Sequence, residues 1–300
     1  MRNLCGRLMI YVITGPTNTG KDRIAIDLAK RIGGEIINAD AFHVYKQLKI
    51  GTNKPEEDEF EGVNHHLFSY VDIDEEYSIA RYQNDARTVI DSLISKNIPI
   101  IMLVGSGLYI KAALYDYRFY QEETIDMSKY DHMNNDDLYA TLKSFDQHSA
   151  QKIHPNNRKR VMRALEIYLS QGIKKSEIPA HKDNLIYPAL FFGVDFDRGD
   201  LYMRIMGRVH RMIMDGLFDE VKLLTKKYGS NLQALQAIGY KEAIEYLNGA
   251  YTEEETIEKI VTNTRHYAKR QMTFVRHQFV VHWIKNVDDI LRIAQHESAS

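Results

Sequence analysis

The sequence predicts an α/β fold: a parallel sheet flanked by helices, interrupted by a helical insertion. Three observations carry this. Apolar stretches of strand length alternate with helical patterns through the first 115 residues, and such alternation builds a parallel sheet. A glycine-rich turn, Gly15-Pro16-Thr17-Asn18-Thr19-Gly20-Lys21, joins the first apolar stretch to the first helix. From residue 116 to about 186 the buried-strand signal disappears, and the chain becomes polar and rich in Asp, Asn, Lys and Tyr.

The first strand is Met9 to Ile13, apolar and β-branched. The first helix is Ile24 to Ile32, with an apolar stripe, closed by Gly33-Gly34. Strand, glycine-rich turn, lysine and helix together are the context of a P-loop, so the core is expected to be P-loop NTPase-like. Gly15, Pro16, Thr17, Asn18, Thr19, Gly20, Lys21 and Asp22 are the candidate phosphate site. Backbone N–H groups of the turn and helix N-terminus cradle phosphate oxygens, and Lys21 reaches the outer phosphate. One position departs from the pattern. A P-loop carries Ser or Thr after its lysine, whose hydroxyl binds Mg²⁺; here Asp22 follows Lys21. A carboxylate can bind Mg²⁺, so Asp22 is the candidate metal ligand and Mg²⁺ the expected cofactor. The same carboxylate brings negative charge to a pocket built for anions.

Glu35 to Asp40 is a short buried strand ending in a carboxylate. Ligands of open α/β sheets sit at the carboxyl ends of strands, which places Asp40 near the phosphate loop, either as a functional group or as a cap of the next turn. His65 and His66 are adjacent on an extended segment and point to opposite faces. No Cys or carboxylate set accompanies them, so a metal pair is not expected there. Tyr77 to Lys96 is helical, with Ile79, Tyr82, Ala86, Val89, Ile90, Leu93 and Ile94 at helical spacing. Ile98 to Val104 reads as a central parallel strand. It opens into Gly105-Ser106-Gly107-Leu108-Tyr109, a second site candidate or a tight strand–helix turn, and Ile110 to Tyr115 begins another helix.

In the polar region, Asp136 to Leu142 and Arg158 to Ser170 read as helices. Lys152, Arg158, Lys159, Arg160 and Arg163 form the densest basic cluster of the chain, either a solvated face or a contact for RNA or phosphate. Leu190 to Asp195 restores strand character, and Asp200 to Tyr228 reads as one long helix. Its Arg204, Arg208 and Arg211 share a face, where like charges repel and an anionic partner is expected. Gln236 to Lys241 opens the next helical unit. Thr252 to Val275 is a long helix with a capping-box start, and the remainder with Trp283 reads as a closing strand and tail.

Three hundred residues suit one large domain or a core plus an insertion. The expected division is a core of 1–117 and 187–300 around an insertion of 118–186. A hydrophobic content of 44% and a charged fraction of 27% are those of an ordinary soluble globular protein. No apolar run approaches the ~18 residues of a membrane span, and the N-terminus lacks a signal-peptide pattern. The single Cys5 excludes a disulfide framework and a Cys-rich zinc module. A cytoplasmic protein without a membrane partner is expected. A net charge of −2 leaves any RNA contact to local basic patches.

Taken together, the motifs resemble the tRNA dimethylallyltransferases. The resemblance runs in order through Gly15-Pro16-Thr17-x-x-Gly20-Lys21, Ile37-Asn38-Ala39-Asp40-x-x-x-Val44-Tyr45, Gly51-Thr52-x-Lys54-Pro55 and Val63-x-His65-His66-Leu67. Gly105-Ser106-Gly107-Leu108-Tyr109 is similar to that family's Gly-Gly-Thr-Gly-Leu-Tyr. His154-Pro155-Asn156, Arg160, Arg163-Ala164-Leu165-Glu166, Ala237-Ile238-Gly239-Tyr240-Lys241 and Thr264-Arg265-x-Tyr267-Ala268-Lys269-Arg270-Gln271 extend it, so that it spans roughly residues 10 to 280. The resemblance implies transfer of a dimethylallyl group from dimethylallyl diphosphate to N6 of an anticodon-loop adenosine in tRNA. It implies Asp40 as the proton acceptor, and Lys21, Ser106, Arg204 and Arg208 about the diphosphate. For tRNA it implies contacts by Asp40, Ala41, Phe42, His43, Lys159, Arg160, Arg163, Gly239, Tyr240 and Lys241, with the insertion gripping the anticodon stem-loop and the protein acting as a monomer.

Four positions depart from that family. It has Ser or Thr where Asp22 and Ala41 stand, Gln where His43 stands, and a second Gly where Val104 stands. These changes fall in the substrate pocket while the scaffold motifs persist, the pattern of a diverged paralogue with altered rate or specificity. Two alternatives stay open: a prenyltransferase of free adenine nucleotides, and an impaired paralogue that binds RNA without turnover.

Overall fold

The computed structural model describes residues 8–117, 126–177 and 184–299. Cys5 and parts of the expected insertion, 118–125 and 178–183, lie outside the described residues. Its contacts divide the chain into two compact units, Met1–Asp116 with Asn184–Ser300, and Tyr117–Asp183.

The first unit is built on a parallel sheet. Its elements in chain order are β1 (Ile10–Thr14), α1 (Lys21–Ile32), β2 (Glu35–Ala39), β3 (His65–His66), α2 (Ile79–Ser95), β4 (Ile100–Val104) and α3 (Gly107–Leu114). The strands run in the order β3-β2-β4-β1 and continue into β5 (Ala189–Val194) and β6 (Val281–Ile284). Every pairing between these strands is parallel; Val12 on β1, for example, faces Met102 on one side and Phe191 on the other. All five residues of β1 and of β4 are buried, as central strands covered on both faces must be. Tyr11, Ile13, Leu28, Ile36, Ile101, Phe192 and Ile290 belong to the core on one face.

The second unit carries α4 (Ser128–Asp131), α5 (Asn135–Phe145), α6 (Gln147–Lys152) and α7 (Arg158–Gln171). Leu138, Leu142, Ala150, Val161, Ala164 and Leu165 form its core. Arg158 is structural here: its guanidinium donates to the carbonyls of Tyr130, Asp131 and Met133.

Back in the first unit, α8 (Arg198–Met214) and α9 (Leu217–Tyr228) are followed by α10 (Tyr240–Leu247), α11 (Glu253–Gln278) and, after β6, α12 (Val287–Ala299). Two expectations are corrected. The single helix over 200–228 is two helices, because Asp215-Gly216 breaks it; Gly216 has φ 94°, a left-handed conformation that glycine adopts without a Cβ clash. The tail is also helical: Val287, Ile290 and Ala294 are buried and belong to the sheet core. Among the described residues no helix is long and apolar enough to cross a membrane.

Candidate active site

Three neighbouring strands deliver the site at their carboxyl ends. Beyond β1, the phosphate loop turns through Asn18 (φ 67°) and Gly20 (φ 81°). Asn tolerates this left-handed region better than most residues, and the Thr19 hydroxyl closes the turn on the Pro16 carbonyl at 2.9 Å. Lys21 then opens α1. Its side chain is buried, with no hydrogen bond or ion pair to any described residue. An ammonium on a largely buried side chain, opening only into a cavity, favours an anion beside it.

Beyond β2, Asp40 is held by its own turn. Asn38 Oδ1 accepts from the Asp40 N–H at 3.0 Å, while Asn38 Nδ2 donates to the Leu67 carbonyl at 2.9 Å. Asp40 Oδ1 accepts from the Phe42 N–H at 2.9 Å and the His43 N–H at 3.4 Å. Burial pushes this carboxyl up. The His43 ring, the Phe42 N–H, Lys21 and the His43 N–H together outweigh that effect and hold it below the usual carboxylate value. Asp40 is therefore ionised at neutral pH.

Beyond β4, Gly105 and Gly107 are not left-handed. What they supply is space. A Cβ on Gly105 would lie 1.9 Å from Asp40 Oδ2, and one on Gly107 would lie 2.3 Å from the Phe274 ring. The Gly105 carbonyl accepts from the Tyr267 hydroxyl at 3.0 Å and from the Gln271 amide, both on α11.

Helix α8 turns its arginine face to the same place. Arg204, Arg208 and Arg211 all line one cavity of about 820 Å³ with Lys21, Asp22, Asp40, His43 and Thr52. Arg208 donates to the Thr17 hydroxyl, to Asn18 Oδ1 at 3.4 Å and to the Thr52 carbonyl at 2.9 Å. Burial pushes its guanidinium down to about 10, partly offset by the carboxylates of Asp22 and Asp40. The Thr52 carbonyl also lies 3.2 Å from His43 Nε2; a carbonyl only accepts, so Nε2 carries the hydrogen. Every residue lining the cavity belongs to the first unit.

The remaining sequence candidates are placed as follows. Gly15, Pro16, Thr19, Ala41 and Ser106 do not line the cavity. The Ser106 N–H bonds the Ala39 carbonyl at 3.0 Å, at the start of α3. Tyr240 is fully buried, donating to Glu220 and accepting from the Gly51 N–H at 3.2 Å. Gly239 is buried and Lys241 exposed. Lys159, Arg160 and Arg163 are exposed on α7 of the second unit. There burial, and after it Arg160 and Arg163, push the Lys175 ammonium down, and Arg163 pairs with Glu166 at 2.8 Å. His65 bonds the Val63 carbonyl and His66 the Glu35 carboxylate. Among the described residues no group of three or more His, Cys, Asp or Glu is placed to hold a metal ion.

Sequence reasoning gave no role to Thr52, Tyr267 or Gln271. The last two are four residues apart and so share a face of α11; their meeting with Gly105 spans more than 160 residues. Cationic groups and backbone N–H groups around one end of a cavity, and an ionised carboxylate within it, suit transfer of a group from a diphosphate to a nucleophile that must lose a proton.

Comparison with known proteins agrees. Residues 43–278 match the model of the IPP transferase family. The tRNA dimethylallyltransferase of Anoxybacillus flavithermus is 42% identical over 94% of this chain and 92% of its own length. The structure of tRNA delta(2)-isopentenylpyrophosphate transferase from Staphylococcus epidermidis superposes with a TM-score of 0.71 at 35% identity, covering 97% of this chain and 99% of that one. A eukaryotic dimethylallyltransferase acting on tRNA superposes with a TM-score of 0.77 at 30% identity, covering 92% and 73%. Matched by that family model over residues 43–278 and by relatives 42% and 35% identical over more than nine-tenths of its length, the chain belongs to the IPP transferase family.

Proposed function

We propose that this chain transfers the dimethylallyl group of dimethylallyl diphosphate to N6 of an anticodon-loop adenosine in tRNA, releasing pyrophosphate. The observation that carries this reading is the cavity that holds both the phosphate loop, with its buried Lys21, and the ionised Asp40. Its relatives bear the name tRNA dimethylallyltransferase.

In this reading the backbone N–H groups of Thr17, Asn18, Gly20, Lys21 and Asp22, the Lys21 ammonium, Arg204 and Arg208 bind the diphosphate. They stabilise the charge that grows on pyrophosphate as the C1–O bond breaks. The N6 lone pair attacks C1, and the N6 proton passes to Asp40, which also orients the amine. The adenine leaves its stack to reach the cavity, where Phe42 and His43 form part of the wall. Lys159, Arg160 and Arg163 bind stem-loop phosphates. Asp22 would hold Mg²⁺. One carboxylate fits that ion, which commonly takes one or two carboxylates together with substrate phosphates and water. When bound, the ion supplies positive charge to the leaving pyrophosphate.

A single-turnover assay with labelled dimethylallyl diphosphate, Mg²⁺ and unmodified tRNA tests the reading. Label should appear in the tRNA with the parent protein and about 10²–10⁴-fold more slowly with Asp40→Asn. No label with the parent, or equal rates for both proteins, would overturn it.

A further inference from the structure

Among the described residues one buried side-chain polar atom has no hydrogen-bond partner: Gln271 Oε1. Its identity is fixed by its neighbour. The other end of the amide meets the Gly105 carbonyl, which only accepts, so nitrogen must face it. Turning the amide over would set two oxygens against each other. The Tyr267 hydroxyl donates to the same carbonyl at 3.0 Å, which fixes the local geometry further. Gln271 lines the cavity. So does Asp40, whose Oδ2 fills the space over the Gly105 Cα. The Asp40 carboxylate and the Gln271 amide thus both pack on one glycine. A buried acceptor left unpaired is costly, and a ligand N–H would remove that cost.

We propose that Gln271 is a binding and specificity residue for the acceptor base: Oε1 accepts one N–H of the exocyclic amine while Asp40 accepts the other. The inference rests on the reaction proposed above. A 6-amino group carries two N–H bonds and can satisfy both oxygens. A 6-oxo group would bring a third oxygen to them with no hydrogen between. The pair therefore selects amine over oxo. Through the transfer, Asp40 takes one proton and the C1–N6 bond replaces that N–H. The second N–H stays on Gln271, which keeps the lone pair aimed at C1 and holds the secondary amine of the product.

The test uses fluorescent anticodon stem-loops carrying adenosine or inosine at the modified position, bound without donor. The parent should bind the adenosine RNA tenfold or more tightly than the inosine RNA. Gln271→Met, of similar length but without a donor and with only a weak thioether acceptor, should bring the two within about threefold, by weakening the adenosine RNA alone. Equal affinities in the parent would overturn the inference whether or not the variant folds. An unchanged preference in Gln271→Met would overturn it too, as would equal weakening of both RNAs with a lowered Tm, which is what a purely structural side chain would give. If the parent binds neither RNA and transfers no label, the reaction itself is wrong, an outcome distinct from those three.

Discussion

Asp40 occupies the space that a side chain at residue 105 would need: a methyl there would lie 1.9 Å from Asp40 Oδ2. Gly105→Ala must therefore move the carboxylate. Displacing a reacting group by about 1 Å costs on the order of 10²-fold in rate. We expect kcat/KM for transfer to fall by that much, with stability lowered by about 1–3 kcal/mol as the site shifts to admit the methyl. A wild-type rate in Gly105→Ala would refute the assigned role of Asp40.

The lowered pKa of Asp40 sets the pH dependence. A general base works only when ionised, and this carboxyl titrates below its usual value. Its contribution to the rate is complete at neutral pH and is lost only as the pH falls through that lowered value, below about 4. Single-turnover rates should be level, so far as Asp40 is concerned, from pH 8 down to about 5. In Asp40→Asn the small residual rate should lack the acid limb.

Asp22 makes the metal requirement testable. Asp22→Thr restores a neutral oxygen ligand and removes a negative charge from the diphosphate pocket. The variant should need more Mg²⁺ for half-maximal rate but bind dimethylallyl diphosphate more tightly at saturating metal, by about tenfold each. Titrating Mn²⁺ by electron paramagnetic resonance against free protein reads the metal half without turnover. Equal Mn²⁺ affinity in both proteins would remove Asp22 from the metal site.

Glu220 on α9 holds the loop that carries Thr52. Its carboxylate accepts from the Lys49 N–H at 3.3 Å, the Ile50 N–H at 3.0 Å and the Tyr240 hydroxyl. Glu220→Ala leaves these donors unpaired. It should cost about 1–3 kcal/mol of stability in urea unfolding. It should also raise KM for both substrates, since Arg208 and His43 both meet the Thr52 carbonyl.

In the second unit, Asp146 caps α6 and bonds the N–H groups of Ser149 and Ser176, each at 2.9 Å. Burial pushes its carboxyl up, but these two serines outweigh that effect and bring it down to about 2. Because the folded value is depressed, the stabilisation is present above about pH 4 and lost as the pH falls through 2. Asp146→Ala should cost about 1–2 kcal/mol at pH 6, and the difference from the parent should shrink toward zero at pH 2.

Much of the site was legible because its parts are local. The phosphate loop, the strand-end Asp40 and the arginine face of α8 each follow from spacing within a dozen or so residues. What stayed hidden joins distant segments: Arg208 with the Thr52 carbonyl, and Gln271 with Gly105. No periodicity encodes such pairs. Gly105 and Gly107 invited a turn reading, yet their cause is the bulk of Asp40 and Phe274 arriving from elsewhere. The break at Gly216 and the helix α12 did have local signals, a glycine within a helical run and apolar residues at Val287, Ile290 and Ala294. The apolar stripe running through 201–224 masked the first, and the short C-terminal length masked the second.

The chain leaves the first unit after Asp116 and re-enters it at Asn184, and these two ends are already fastened together. Tyr115 pairs with Leu185 in an antiparallel bridge, and the Asp116 N–H bonds the Asn184 carbonyl at 3.0 Å. A segment whose two attachment points are neighbours adds little closure entropy, and that entropy grows only slowly with length. The stability of the first unit is therefore only weakly sensitive to how long the excursion is.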